Sequence, residues 1–253
     1  MKKFILPAVI AGLFCFQTQF AQAQTLSDIL NGISGKKSTG QTSGNNKSGG
    51  NLSNTDIASG LKEALKIGAQ NASSKLSATD GFFKNAALKI LLPQEAKQVE
   101  STLRSVGMGS VVDKAVLSMN RAAENAAKQA APIFINAITS ITIQDGLNIL
   151  RGGNNAATNF LKGKTTSALT TAFKPVIQKS LNKVGAPTLW NSVFSTYNKL
   201  PLSKNKINPD LTGYVTERAL SGLFLTIAEE EAKIRTNPAA QVTSLLQRVF
   251  GNK

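Results

Sequence analysis

The chain has 253 residues, 42% of them hydrophobic but only 6% aromatic, a formal charge of +15 and no histidine. That length supports one sizeable core, built mainly from Ala, Leu, Ile and Val. Without histidine there is no Ser-His-Asp or Cys-His nucleophile system, and the only cysteine, Cys15, leaves no zinc site of the His/Cys kind and no disulfide.

Any catalysis therefore falls to Asp, Glu, Lys, Tyr, Ser or Thr, and any metal site would be all-oxygen. No catalytic constellation, cofactor motif or metal-ligand spacing is present. The basic balance points to an anionic partner or surface.

Residues 1–23 read as a signal peptide. Lys2 and Lys3 give the positive start, Phe4 to Phe16 the apolar stretch, and Ala21-Gln22-Ala23 the cleavage site. The apolar run is shorter than the about 20 residues a spanning helix needs. The bulky Phe14 before Cys15 argues against a lipidated cysteine. The expectation is a soluble, exported, most simply periplasmic protein that starts at Gln24 and has no transmembrane span after cleavage. Losing Lys2 and Lys3 lowers the charge from +15 to +13.

Residues 24–54 hold a short amphipathic segment and a linker. Leu26, Ile29, Leu30 and Ile33 follow helical spacing. This segment either docks on its own domain or meets a membrane or partner. Asn31 to Ser53 is rich in Gly, Ser, Asn, Thr and Lys, and is expected to be a disordered spacer.

Residues 55–253 are expected to form the helical domain. Thr55 or Asp56 can cap a helix running to about Leu76. Phe82, Phe83, Ala86, Ala87 and Ile90 suggest a short helix ending at Pro93. A strand over Ala86 to Leu92 is the alternative, with no neighbouring strand to pair with. Pro93 to Val106 is a further helix, with Gly107 beyond its end.

Val111 to Ile141 reads as one long alanine-rich helix, the spine of the domain. Val112, Val116, Met119, Ala123, Ala126 and Ala130 fall on one stripe, continued by Ile133 and Ala137. The alanines allow a neighbouring helix to approach toward the short end of the about 8–10 Å range. Pro132 removes a hydrogen bond to the Lys128 carbonyl, so a kink is expected there. Beyond it, the apolar run to Ile143 suggests burial on several sides.

Thr142-Ile143-Gln144-Asp145 resembles a capping box. The helix it opens ends at Arg151-Gly152-Gly153, and Asn154 or Asn155 caps the next, which Pro175 can bend. Ala186 to Leu200 is a helix with Trp190. Pro201 to Asp210 is a lysine-bearing loop. Asp210 can cap a helix over Leu211 to Arg235, and Asn237-Pro238 opens a last one. The fold class is all-α: a single multi-helix domain of about eight or nine helices around the alanine-rich spine.

Several phrases carry a family resemblance. They are MNRAAENA from Met119, PIFINAI from Pro132, TIQDGLNILRGGNNAATNFL from Thr142, YVTERALSGLF from Tyr214 and EEEAKIRTNPAAQVTSLLQRVFG from Glu229. They resemble, in the same order, the exported bacterial proteins of domain-of-unknown-function family 4197. The resemblance spans roughly Ile57 to Gly251 and implies a helical, exported protein without an assigned activity.

Three candidate ligand sites follow from the residues themselves. The turn Arg151-Gly152-Gly153-Asn154 before a helix start can present N–H groups to a phosphate or lipid head group, or can simply be a pair of helix caps. Glu230 and Glu231, between Ile227 and Ile234 on one side of a helix, lean toward the core and need a cationic partner. Arg235 stands at i+4, with Arg121 and Arg218 as alternatives. That cluster is either an acid or oxygen-ligand site, or a structural ion pair. Arg121 and Glu124 on the spine either face solvent or line a polar groove.

The lysines are scattered and lack interleaved aromatics, so no nucleic-acid partner is expected. The leading functional expectation is a non-catalytic binder of an anionic or amphipathic envelope component. The alternatives are a carboxylate-dependent enzyme centred on Glu230 and Glu231, and a protein-interaction module.

Overall fold

The computed structural model describes residues 53–199, 206–207 and 209–236. The expected signal segment, the 26–33 helix, most of the linker and the helix after Pro238 lie outside the described residues. Among the described residues the chain is all-α, with eight α-helices, one 3-10 turn and no strand.

Helix α1 (Asn54–Ser77) starts at a capping box. Ser53 Oγ accepts the Asp56 N–H at 3.1 Å, and Asp56 Oδ2 accepts the Ser53 N–H at 3.2 Å. The cap is therefore Ser53, ahead of Thr55, and Asp56 is the reciprocal acid of the box.

No helix forms over 82–90, contrary to the expectation from its apolar spacing. The chain runs through turns and then an irregular stretch to Pro93. Helix loses here because side chains of the spine take over the backbone. Glu124 Oε1 accepts the Phe82 and Phe83 N–H groups, both at 3.2 Å. The Asn120 amide accepts from Ile90 N–H at 2.9 Å and donates to Ile90 C=O at 2.8 Å. One amide can meet both groups of one residue only where the backbone is extended.

A 3-10 turn (Gln94–Ala96) leads into α2 (Lys97–Ser105). Gly107 closes α2 in the left-handed region at φ 82°, and Met108 N–H returns to Leu103 C=O at 2.8 Å.

The spine is two helices, α3 (Gly109–Ala127) and α4 (Ala130–Thr139). The break falls at Lys128–Gln129, at the carbonyl that Pro132 leaves without its partner and against which its ring would press. It also shifts the buried stripe: α4 buries Ala130, Phe134 and Ile138, while Ile133 and Ala137 are half-buried and Pro132 is exposed. The expectation of burial on several sides thus gives way to one buried face.

The Thr142–Asp145 capping box forms as expected, each contact at 3.1 Å, and opens α5 (Ile143–Arg151). This helix turns 107° from the line of the spine. Helix α6 (Ala156–Asn182) runs through Pro175 without interruption. Helix α7 (Ala186–Tyr197) follows. Helix α8 (Leu211–Thr236) opens with Asp210 Oδ1 accepting the Gly213 N–H at 2.8 Å.

Packing is centred on α3, α6 and α8. Helix α6 lies between α3 and α8, and α8 packs on α1, which also meets α4 and α5. Leu161, Leu169, Phe173, Ile177 and Leu181 of α6 are fully buried, each contributing roughly 1.5–3 kcal/mol by leaving water. Ala122, Ala123, Ala126 and Ala127 of α3 are also fully buried, so the spine's small residues are contact surface. No single helix among the described residues is long and apolar enough to cross a membrane. Only the bent pair Gly109–Thr139 with Ile143–Arg151 passes by length and composition.

Gly222 is required by contact. The ring edge of Phe82 sits where a Cβ on Gly222 would lie, 2.8 Å away. Gly222→Ala is expected to push that ring off α8 and destabilise the protein by about 1–3 kcal/mol. Chemical denaturation followed by the fluorescence of the single tryptophan, Trp190, will measure it.

Candidate functional site

The sequence candidates resolve into two buried polar clamps. In the first, Glu231 on α8 is 5% exposed and faces the start of α6. Its Oε1 accepts the Ala157 N–H at 3.1 Å; its Oε2 accepts the Thr158 N–H and hydroxyl, both at 2.8 Å. Arg235 Nε and Nη2 donate to Oε1 at 2.9 and 2.8 Å. Nη2 also donates to Ile149 C=O at 3.0 Å, near the end of α5.

This clamp joins two of the candidates. The turn through Gly152 and Gly153 does lead to free N–H groups at a helix start, but the anion there is the chain's own Glu231. Asn155, left-handed at φ 68°, makes no side-chain cap bond, so capping by Asn154 or Asn155 is replaced by a carboxylate 73 residues further on. Gly152 is needed for space, since a Cβ there would lie 2.6 Å from that of Ala156. Arg151, Gly153 and Asn154 are exposed, and Arg151 makes no ion pair among the described residues.

The second clamp sits on α3. Glu124 is 4% exposed, and its second oxygen accepts from Arg121 Nη1 at 2.6 Å. Arg121 Nη2 reaches Asp80 at 2.7 Å, and Lys84 pairs with the same carboxylate at 2.9 Å. Hydrogen bonds from Lys84 and then Arg121 hold the Asp80 carboxyl below its ordinary value of 3.8. Glu124 therefore faces inward and holds the 80–90 loop. The expected meeting of this pair with the glutamates of α8 does not occur. Glu230 pairs instead with Lys233 at 2.6 Å and accepts from Asn71 at 3.3 Å.

Glu124, Glu230 and Glu231 line none of the three main cavities of the described residues. Nor is any group of three or more acidic or thiol side chains among them placed to hold a metal ion.

A family model described as "Protein of unknown function (DUF4197)" matches residues 51–251. The chain belongs to this family. No curated protein and no solved structure matches it. For this DUF4197 protein, the open space that the buried glutamates do not line includes a groove that the sequence reading missed. The groove holds about 590 Å³ between α2, α3, the end of α6 and α7. Val99, Leu103, Val112, Leu117, Leu189 and Phe194 supply its apolar wall. Of these, Leu117 is 36% exposed and Leu189 54%, and the neighbouring Val184 is 63% exposed.

Two lining cations, Lys114 and Lys183, make no ion pair among the described residues. The lining acid Glu100 is paired with Arg104 at 3.0 Å, and Arg121 reaches the groove already bound to Glu124 and Asp80. The available signal was in the sequence as Leu117, Val184 and Leu189. Exposed apolar residues become informative only when the fold gathers them into one patch.

Glu231→Gln removes the charge that compensates the 9%-exposed Arg235, so a loss of about 3–5 kcal/mol in unfolding free energy is expected by denaturant titration. Asp80 has a depressed folded-state pKa, so its stabilising contribution is present above pH 3.8 and is lost as pH falls below it. Asp80→Asn should therefore be less stable than the parent at pH 7, with the difference shrinking below pH 3.8 in parallel urea melts.

Proposed function

We propose that the protein is a non-catalytic binder of an amphipathic anion of the cell envelope, with the apolar part of the ligand in the groove between α2, α3, α6 and α7. One observation carries this reading: a groove of about 590 Å³ with a largely apolar wall has, at Lys114 and Lys183, lysines without acidic partners among the described residues. Its size falls within the range of small-molecule sites, about 300–1,000 Å³. An apolar chain gains by leaving water there, and an ammonium without a counterion favours a carboxylate or phosphate end. The formal charge of +13 that remains without Lys2 and Lys3 raises the local concentration of such a ligand. In this reading the protein is exported, in line with the sequence features of residues 1–23.

The clamps argue against the carboxylate-enzyme alternative. A general acid or base needs access to substrate; both oxygens of Glu231 already accept from backbone N–H groups, one of them also from Arg235, and those of Glu230 accept from Lys233 and Asn71.

The test is titration of the chain lacking residues 1–23 with a fluorescent long-chain fatty acid, alongside mass spectrometry of lipid co-purified with it. Binding is expected to weaken at least tenfold in Leu189→Asp, which puts a charge on an exposed wall position without disturbing the core. It should weaken several-fold in Lys183→Glu. Absence of saturable binding by the parent chain, or equal affinity in both variants, would overturn the assignment.

A further inference from the structure

A second cavity, of about 670 Å³, lies between the 87–95 segment and the first half of α8. It is separate from the groove, sharing with it only Leu92 and Trp190. Along one wall runs a piece of extended backbone whose hydrogen bonding is incomplete.

The two edges of that piece are distinguishable. Ile90 turns both its N–H and its C=O to Asn120. In extended chain, successive residues point these groups to opposite edges. Leu91 accordingly turns its C=O the other way, where it accepts from the Tyr214 hydroxyl at 2.7 Å. Tyr214 lines the cavity, so the Leu91 N–H lies on the cavity edge, and it has no hydrogen-bond partner among the described residues. Lys89 shares that edge. Its N–H is bound to Asn85 C=O at 2.8 Å and its own C=O has no partner among the described residues. The edge thus offers one donor and one acceptor, at alternate residues, beside an exposed side chain: Leu91 is 57% exposed.

The other walls suit a peptide. Trp190 and Tyr214 stack with ring centroids 6.2 Å apart and planes at 17°, and Arg218 lies over the Tyr214 ring. Arg218 is paired with Glu217 at 2.9 Å. Lys89 and Lys206 make no ion pair among the described residues, the Lys89 ammonium lying 4.3 Å over the Phe83 ring, and Glu95 is the remaining acid. The balance of available charge is positive.

We propose that this cavity binds an extended, acidic segment of a partner polypeptide by strand addition. The peptide backbone accepts from Leu91 N–H and donates to Lys89 C=O, and an acidic side chain meets Lys89 or Lys206. Unpaired backbone edges template this kind of pairing, with main-chain bonds giving affinity and flanking pockets giving selectivity. The site is independent of the lipid groove.

The test starts from a phage-displayed peptide library selected on the parent chain. The selected peptides should be enriched in Asp and Glu and depleted in Pro at the paired position. Leu91→Pro deletes a donor that makes no bond among the described residues, so it should leave the thermal melt near that of the parent and weaken the best synthetic peptide about tenfold or more. Leu91→Ala keeps the N–H and should bind within a few-fold of the parent.

Should Leu91→Pro fold poorly, the same peptide N-methylated at the residue opposite Lys89 tests the other bond on the unaltered protein, again with about a tenfold loss expected. Amide exchange at Leu91 should slow when peptide is bound. The groove variant Leu189→Asp should bind peptide normally, which separates this site from the lipid reading. No enriched peptide, an unprotected Leu91 amide, or equal affinity for the N-methylated and parent peptides would overturn the proposal.

Discussion

Two buried carboxylates organise this fold in the same way. Glu124 accepts from the consecutive N–H groups of Phe82 and Phe83, and Glu231 from those of Ala157 and Thr158. Each is partnered by an arginine on its own helix, three residues before Glu124 and four after Glu231. Each arginine then reaches a second element, Asp80 in one case and the Ile149 carbonyl in the other. A buried carboxylate is tolerable only with such partners, and backbone donors buried by packing need an acceptor. The clamps meet both requirements at once and fix where the 80–90 loop and the α5–α6 turn sit.

That arrangement separates architecture from binding surface. The conspicuous buried glutamates are spent on holding chain segments together. What remains open includes less conspicuous features: aliphatic side chains on α2, α3 and α7 with two lysines nearby, and a short run of backbone beside Tyr214. Ala122, Ala123 and Ala126 are fully buried, whereas Leu117, Val184 and Leu189 stay exposed at the periphery.

Asn120 and Tyr214 act on the same stretch of chain from opposite sides. Asn120, fully buried, holds Ile90 along one edge, and Tyr214 holds Leu91 along the other. Burial raises the Tyr214 pKa above its ordinary value of 10.0, so its hydroxyl remains a donor at neutral pH. A stretch without a neighbouring strand is thereby kept extended by side chains alone.

Local sequence determined the features whose partners lie within a turn or two. The all-α class follows from apolar periodicity, the Thr142–Asp145 capping box from a three-residue spacing, and the end of α2 from Gly107; Pro132 marked the place where the spine departs from a regular helix, though the expectation was a kink in one long helix and the structure has two helices. Family membership was likewise legible in phrases such as MNRAAENA and TIQDGLNILRGG. The candidate site was legible only as residue types: Glu231, Arg235 and the Gly152 turn stood out separately, and nothing in their spacing showed that one carboxylate caps the helix after that turn. Tertiary structure alone decided that, as it decided that Phe82 to Ile90 is not a helix. In both places a side chain 30 to 74 residues away in sequence offered the backbone a better partner than its neighbours could. Such pairings depend on where helices cross, which periodicity leaves free.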